Sequence, residues 1–365
     1  MILFSRYRGC SLRLHEMGGT FMKTISALIA ASLLVGASLT ASAQENPAAD
    51  FYKGETISLI VGTGPGGGFD QYARLLAPEL SDATGATVVV ENRPGGGGIT
   101  AINQVASADA DGLSVMLING VPAALGQITG APAVRFKLQD LPFLGRVAAE
   151  PWVLLVSKQS GYTSLKDLVE ASKGGKTLSF SGLGRVDGPT DTAAVVCEAL
   201  QLNCKLVVGF KGSSEASLAA IRGDVTGFAV TDRSARDYSQ DGSLVPIAVV
   251  GHNRSKLLPD VPTIFEAVDV PEDAAFWIDF RAKVVDVGRA LITTPGTPDD
   301  RVAFLREAFA KILSDPELVK TATDRGLPID YASGKDVQDT VTEIFGDLPE
   351  DKISTIRDVL LSKYF

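Results

Sequence analysis

The sequence predicts an α/β protein made of two units around mainly parallel sheets. Three observations carry this. Short β-rich runs alternate with helical stretches, glycine-rich loops stand where strands hand over to helices, and the pattern starts afresh near the middle of the chain. With 365 residues, 45% apolar and 21% charged, the chain has a globular composition and is too long for one small core.

Residues 1–43 are expected to lie outside the fold. Met22-Lys23-Thr24 opens a secretory-signal pattern: Lys23 is a short positive region, Ile25 to Leu39 an apolar one, and Ala41-Ser42-Ala43 a small-residue cleavage site. The apolar run is shorter than the roughly 18–20 residues of a membrane span. No cysteine follows it, so a lipid anchor is not expected. Residues 1–21 read as an upstream extension, with Met22 a second candidate start.

The first unit opens with Thr56–Val61, a strand run, followed by the loop Gly62 to Gly68. A helix follows, with Tyr72, Leu75, Leu76 and Leu80 on one side, Asp70 as its expected N-cap and Gly85 as its stop. Residues 87–90 form a second strand, and Glu91-Asn92-Arg93-Pro94 leads into four glycines. A helix over 99–106 and a strand over 114–118 complete this unit. The second unit begins after the run 152–156. Residues 177–181 are a strand, 182–189 its loop, and Thr190 or Asp191 the expected cap of a helix reaching Ala199. Further strands are expected over 206–208, 227–230 and 245–250, with a helix over 214–221. Beyond Pro271 the apolar runs 283–287 and 290–293 precede amphipathic helices near 299–313, 336–346 and 351–361. The lobes are therefore expected to be 44–150 plus 276–365, and 151–275. More than one crossing between them suits a bilobal protein with its ligand in the intervening cleft.

Charge and composition exclude several classes. The whole chain carries −9, and removal of residues 1–43 leaves 30 basic against 42 acidic groups, or −12. No nucleic-acid partner is expected from such a balance. Of two histidines only His252 remains after cleavage, with no nucleophile motif beside it, so a multi-histidine metal site is excluded and no metal or cofactor is expected. Cys197 and Cys204 lie seven apart. In an oxidising compartment they would close a disulfide of about 2–3 kcal/mol; the other reading is two buried thiols.

The glycine loops carry the functional signal. Gly62-Thr63-Gly64-Pro65-Gly66-Gly67 matches G-x-G-x-x-G, with Glu91 closing the next strand. Against a dinucleotide, Pro65 stiffens the turn, and Asp70 puts negative charge where a pyrophosphate needs positive potential. What survives is generic: glycines let backbone N–H groups approach a ligand, and helix N-termini favour anions. Loops 62–70 and 182–190 come from different halves of the chain and could face each other across a cleft as an anion site.

These residues resemble a known family. Val61 to Arg74, Val90 to Gly98, Asp111-Gly112 and Pro259-Asp260-Val261-Pro262-Thr263 are similar to segments of the extracytoplasmic solute receptors of tripartite tricarboxylate transporters, the TctC or Bug family. Phe210-Lys211-Gly212-Ser213 and Thr294-Pro295-Gly296-Thr297-Pro298 resemble two further motifs of that family, and the matches run in order along the whole mature chain. The resemblance implies a type II periplasmic-binding-protein fold, two α/β lobes with a hinge and an interdomain cleft. It also implies a soluble, monomeric periplasmic receptor, not an enzyme. Such a receptor captures a small organic carboxylate (a di- or tricarboxylate or an aromatic acid) and delivers it to membrane permease subunits. The residues it implies for ligand contact are Thr63, Gly66, Gly67, Gly68, Phe69, Asp70, Asn119, Gly182, Gly184, Arg185, Asp187, Thr190, Phe210, Lys211, Thr231, Asp232 and Arg233.

The chain also departs from the family pattern. Arg185 and Asp187 stand in a loop usually rich in small residues, Phe69 replaces a common Thr, Phe210 replaces Tyr, and 230–234 differ from the usual stretch. Arg185 or Arg233 could pair a second ligand carboxylate, and Phe69 could cover an aromatic ring. The other reading pairs Arg185 with Asp187 on the loop surface. Two further classes stay open: a receptor that reports ligand to a sensor kinase, and an enzyme with Asp70 or Asp187 as general base.

Overall fold

A computed structural model describes residues 47–185, 187–346 and 348–365; the signal-peptide expectation lies outside them. Residues Pro47–Phe365 hold two sheets. The first takes β1 (Thr56–Val61), β2 (Thr87–Asn92), β3 (Ser114–Asn119), β4 (Phe143–Ala148), β10 (Arg289–Thr293) and the two-residue β11 (Ala332–Ser333), in the order β11-β4-β10-β3-β1-β2. The second takes β5 (Trp152–Ser157), β6 (Leu178–Gly182), β7 (Cys204–Val208), β8 (Gly227–Thr231) and β9 (Leu244–Val249), in the order β7-β6-β8-β5-β9.

The sheets are not uniformly parallel, and the exceptions follow from connectivity. β1 pairs in parallel with β2 and β3, and β6 with β7 and β8, but β5 and β10 run antiparallel to their neighbours. β4 ends at Ala148 and the chain crosses into the second sheet in three residues, so β5 must begin at the edge where the parallel strands end. β10 repeats this on the way back. Each crossing strand therefore presents its first residue, Trp152 or Arg289, to the space between the sheets.

Helices fill the crossovers: α1 (Pro47–Tyr52), α2 (Gly68–Thr84), α3 (Ile99–Ala106), α4 (Gly120–Ile128), α5 (Leu165–Lys173), α6 (Gly188–Ala199), α7 (Ser213–Ile221), α8 (Asp232–Tyr238) and α9 (Ile264–Ala267). α10 (Glu272–Val287) returns the chain to the first sheet, and α11 (Asp299–Leu313), α12 (Pro316–Asp324), α13 (Gly334–Gly346) and α14 (Glu350–Leu361) close it. The apolar run 283–287 is thus the end of a helix. Two expected caps also move. α2 starts from Gly67, with Asp70 inside its first turn. α6 is capped by Asp187, whose carboxylate accepts from the Thr190 N–H at the third position, since Pro189 at the second has no N–H to donate.

Strand alternation sorts the cores. Ile57, Leu59 and Val61 face Leu76, Leu80 and Phe309, whereas Ile60 faces a larger cluster. That cluster is continuous from Met116 and Ile118 through Trp277, Ile278 and Val284 of α10 to Phe180 and Val195. Cys197 and Cys204 are joined in a disulfide that ties α6 to β7. The chain end is also fastened there: Leu206 N–H donates to the Tyr364 carbonyl at 2.7 Å, while Arg357 of α14 donates to the Ile128 carbonyl of α4 at 3.0 Å.

Candidate ligand-binding site

A cavity of about 300 Å³ opens between the carboxyl ends of strands from both sheets, the place where open α/β sheets hold their ligands. Phe69, Asn119, Val121, Pro122, Ala148 and Arg289 line it from the first sheet's side; Trp152, Leu183, Asp187, Gly188, Pro189 and Thr231 line it from the second. Glu150 and Gly288 come from the two crossings, with Val285 at the end of α10. Strand register sets these neighbours. Arg289 stands opposite Asn119 on one side and Ala148 on the other, and Trp152 stands opposite Thr231.

Among the described residues lining the cavity, Arg289 is the one cation. Gly288 delivers it there: its φ of 58° turns α10 directly into β10, and a side chain at that position would run into the Ala148 carbonyl. The Arg289 guanidinium pairs with Glu150 at 3.0 Å, both side chains about one-fifth exposed (18% and 20%). It also lies 4.9 Å from the centre of the Phe69 ring and 5.4 Å from that of Tyr72. Burial pushes the Tyr72 hydroxyl up to about 12, against the pull of Arg289. The Arg289 Nε is buried and has no hydrogen-bond partner among the protein groups. The guanidinium is thus fixed on three sides by Phe69, Tyr72 and Glu150.

The two glycine loops differ in kind. At Gly64, Gly66 and Gly68 an added Cβ would meet nothing within 4 Å, so no neighbour packs against the Cβ side of these glycines. Asp70 braces it from behind, accepting from the Gly66 N–H at 2.8 Å, Arg74 Nε at 2.9 Å and Asn92 Nδ2 at 3.0 Å. The Arg74 hydrogen bond leads in lowering its carboxyl to about 2. Asn92 also donates to the Thr63 carbonyl at 3.1 Å, and the Thr63 hydroxyl is buried with no protein partner. The second loop is folded onto itself. Asp187 accepts from the Gly184 and Thr190 N–H groups, and the Thr190 hydroxyl donates to the Gly184 carbonyl at 2.7 Å. Gly182 is where Thr190 packs too closely for a Cβ. The first turn of α6 is therefore already occupied by its own carboxylate.

Comparison with known proteins agrees with this architecture. A family model described as the tripartite tricarboxylate transporter family receptor, TctC, matches residues 72–346. The chain belongs to that family. BugT of Bordetella pertussis is 30% identical over 226 residues, which cover 60% of this chain and 67% of BugT. Among solved structures, a TctC solute-binding protein from Polaromonas without ligand superposes with a TM-score of 0.68 at 20% identity, covering 85% of this chain and 99% of that one. MatC from Rhodopseudomonas palustris with bound malate gives 0.58 at 21% identity, covering 84% and 99%. A second protein of that organism, with adipate, gives 0.57 at 22% identity, covering 83% and 97%. At these identities the structures establish the fold: two α/β lobes of the periplasmic-binding type.

In this receptor, four residues singled out in the sequence line the cavity: Phe69, Asn119, Asp187 and Thr231. Several others are engaged elsewhere. Arg185 does not pair with Asp187; its guanidinium donates to the Leu361 carbonyl and lies 4.4 Å from the centre of the Phe365 ring, at the chain's end. Arg233 donates to the Gly326 carbonyl beyond α12, so it bridges from the second lobe to the first. Asp232 is buried, accepting from Ser255 Oγ at 2.6 Å and from the Arg233 N–H at 2.7 Å, and burial raises its carboxyl. Phe210 packs into the outer core of the second sheet, and Lys211 is exposed, its N–H donating to Glu215 at 2.7 Å.

The sequence reading missed Arg289, Glu150 and Trp152. Trp152 and Arg289 are the first residues of the crossing strands, and Glu150 sits in the three-residue link before β5, so a crossing strand's first residue is the signal that would have found two of them. Trp152 lies against Gly188, where any side chain would strike the indole. Behind it the fully buried Arg281 stacks 5.2 Å from the ring and donates to Thr192 Oγ1 at 2.9 Å; that hydroxyl in turn donates to the Gly188 carbonyl at 2.6 Å. Burial lowers Arg281 to about 10 and holds the neighbouring Asp191 well above the usual carboxylate range. Trp152 is thereby a fixed wall of the cavity. Among the described residues, no helix is long and apolar enough to cross a membrane, and no cluster of ligating side chains would hold a metal ion.

Proposed function

We propose that this receptor is exported with cleavage after Ala43. In this reading it captures a small organic carboxylate in the interlobe cavity and delivers it to a membrane permease of the tripartite tricarboxylate type. It works by binding, with no chemical step. One observation carries the reading: a cavity of about 300 Å³, mostly apolar in its side chains, has Arg289 as the one cation among its described lining residues, its guanidinium held by Phe69, Tyr72 and Glu150. Arginine suits carboxylate recognition because its planar donors match the two oxygens. That similar structures contain malate and adipate supports the ligand class. The lobes in this proposal are residues 44–150 with 276–365, and 151–275, with α10 as part of the hinge.

The test is a thermal-shift screen of C4–C6 di- and tricarboxylates, their monocarboxylate counterparts and aromatic acids, on protein refolded to remove carried-over ligand. At least one carboxylate should raise the midpoint in a concentration-dependent way. No shift with any of them, on folded and ligand-free protein, overturns the carboxylate reading.

A further inference from the structure

The lining charges of the cavity do not match a dianion. Arg289 supplies one positive charge, and Glu150 already pairs with it at 3.0 Å. Asp187, the third ionisable residue on the wall, adds a negative charge whose oxygens are turned to the backbone of its own loop. Much of the remaining wall is apolar, with Phe69, Val121, Pro122 and Trp152 prominent. Arg281 does not reach the cavity; it is buried behind Trp152. One ligand carboxylate can therefore share the partly exposed Arg289 guanidinium with Glu150. A second would find no cation among the described lining residues and would face Glu150.

We propose that Glu150 is a specificity-determining residue: it makes the cavity favour carboxylates with one negative charge on an apolar body over those with two. This rests on the carboxylate-receptor reading above and narrows it. Two like charges about 6 Å apart at a partly wet protein site repel enough to change affinity by about a hundredfold at the upper bound. Because Glu150 is 20% exposed, solvent screening brings the expected discrimination to roughly tenfold.

The experiment is isothermal titration of two matched pairs, hexanoate against adipate and benzoate against isophthalate, on wild type, Glu150→Gln and Glu150→Asp. In the wild type each monocarboxylate should bind about tenfold more tightly than its dicarboxylate. Glu150→Gln should erase or reverse that ratio, whereas Glu150→Asp, which keeps the charge, should keep the preference. A wild type that binds adipate or isophthalate as tightly as the partner monocarboxylate overturns the proposal. So does a folded Glu150→Gln protein with an unchanged ratio. If Glu150→Gln does not fold, the wild-type ratios decide alone. Binding of dicarboxylates only overturns this inference and leaves the receptor reading standing; failure of every carboxylate overturns both.

Discussion

Replacing Arg289 by glutamine removes the cation of the cavity while keeping a side chain of similar reach. A hydrogen bond to a charged group contributes about 1.5–3 kcal/mol. The Arg289 side chain is 18% exposed, which places its bond to a ligand carboxylate toward the lower half of that range. Loss of the guanidinium also leaves Glu150 unpaired beside the incoming anion, which adds repulsion. Together these give about 2–3 kcal/mol, or a Kd raised roughly thirty- to a hundred-and-fifty-fold. Titration calorimetry with the tightest carboxylate from the screen measures this directly. The double variant Glu150→Gln with Arg289→Gln should recover part of the loss, because the repelling charge goes with the attracting one. Urea unfolding of the free proteins separates a binding defect from a folding one. A folded Arg289→Gln protein that binds within threefold of wild type would refute the anchor.

Other substitutions probe how the cavity is held. Arg233→Ala removes the exposed strut to the Gly326 carbonyl between the lobes, and ligand should leave about two- to fivefold faster in stopped-flow release, a small effect because the bond is solvent-exposed. Asp70→Asn should cost about 2 kcal/mol at pH 7, since the carboxyl lies at about 2 in the fold and 3.8 unfolded. A carboxyl lowered by folding stabilises fully above its unfolded value and loses that contribution as pH falls through the folded one. Urea midpoints of wild type and Asp70→Asn should therefore converge between about pH 4 and pH 2. Replacing both Cys197 and Cys204 by serine should lower stability by about 2–3 kcal/mol for so short a loop, and reductant should shift the unfolding of the wild type but not of the variant.

Much of the fold was legible because it depends on local chemistry. Thr56–Val61 alternates its side chains between two cores, Gly85 takes φ 72° to end α2, and the loops at 62–68 and 182–187 lie at strand ends as their glycines require. The second loop also shows where local reading stops. Asp187 looked like a ligand group, yet the nearest donors to a carboxylate at a helix start are the helix's own N–H groups, and it takes them. Arg185 read either as a partner for a ligand carboxylate or as the partner of Asp187; its partners lie 176 residues on, at Leu361, and at Phe365. Glu150 and Arg289 meet only because two crossings bring the chain to the same edge twice, a fact of topology that no spacing in the sequence records. The helix over Glu272–Val287 was hidden for a related reason. It is buried on most sides, so its apolar residues follow no single face.

A crystal structure of the receptor with its tightest-binding carboxylate shows at once whether Arg289 is the anchor. The ligand should lie in the cavity between the sheets, its carboxylate within hydrogen-bond distance of the Arg289 guanidinium and its body against Phe69 and Trp152. A ligand bound elsewhere, or one in the cavity whose carboxylate leaves Arg289 paired with Glu150 alone, would contradict it.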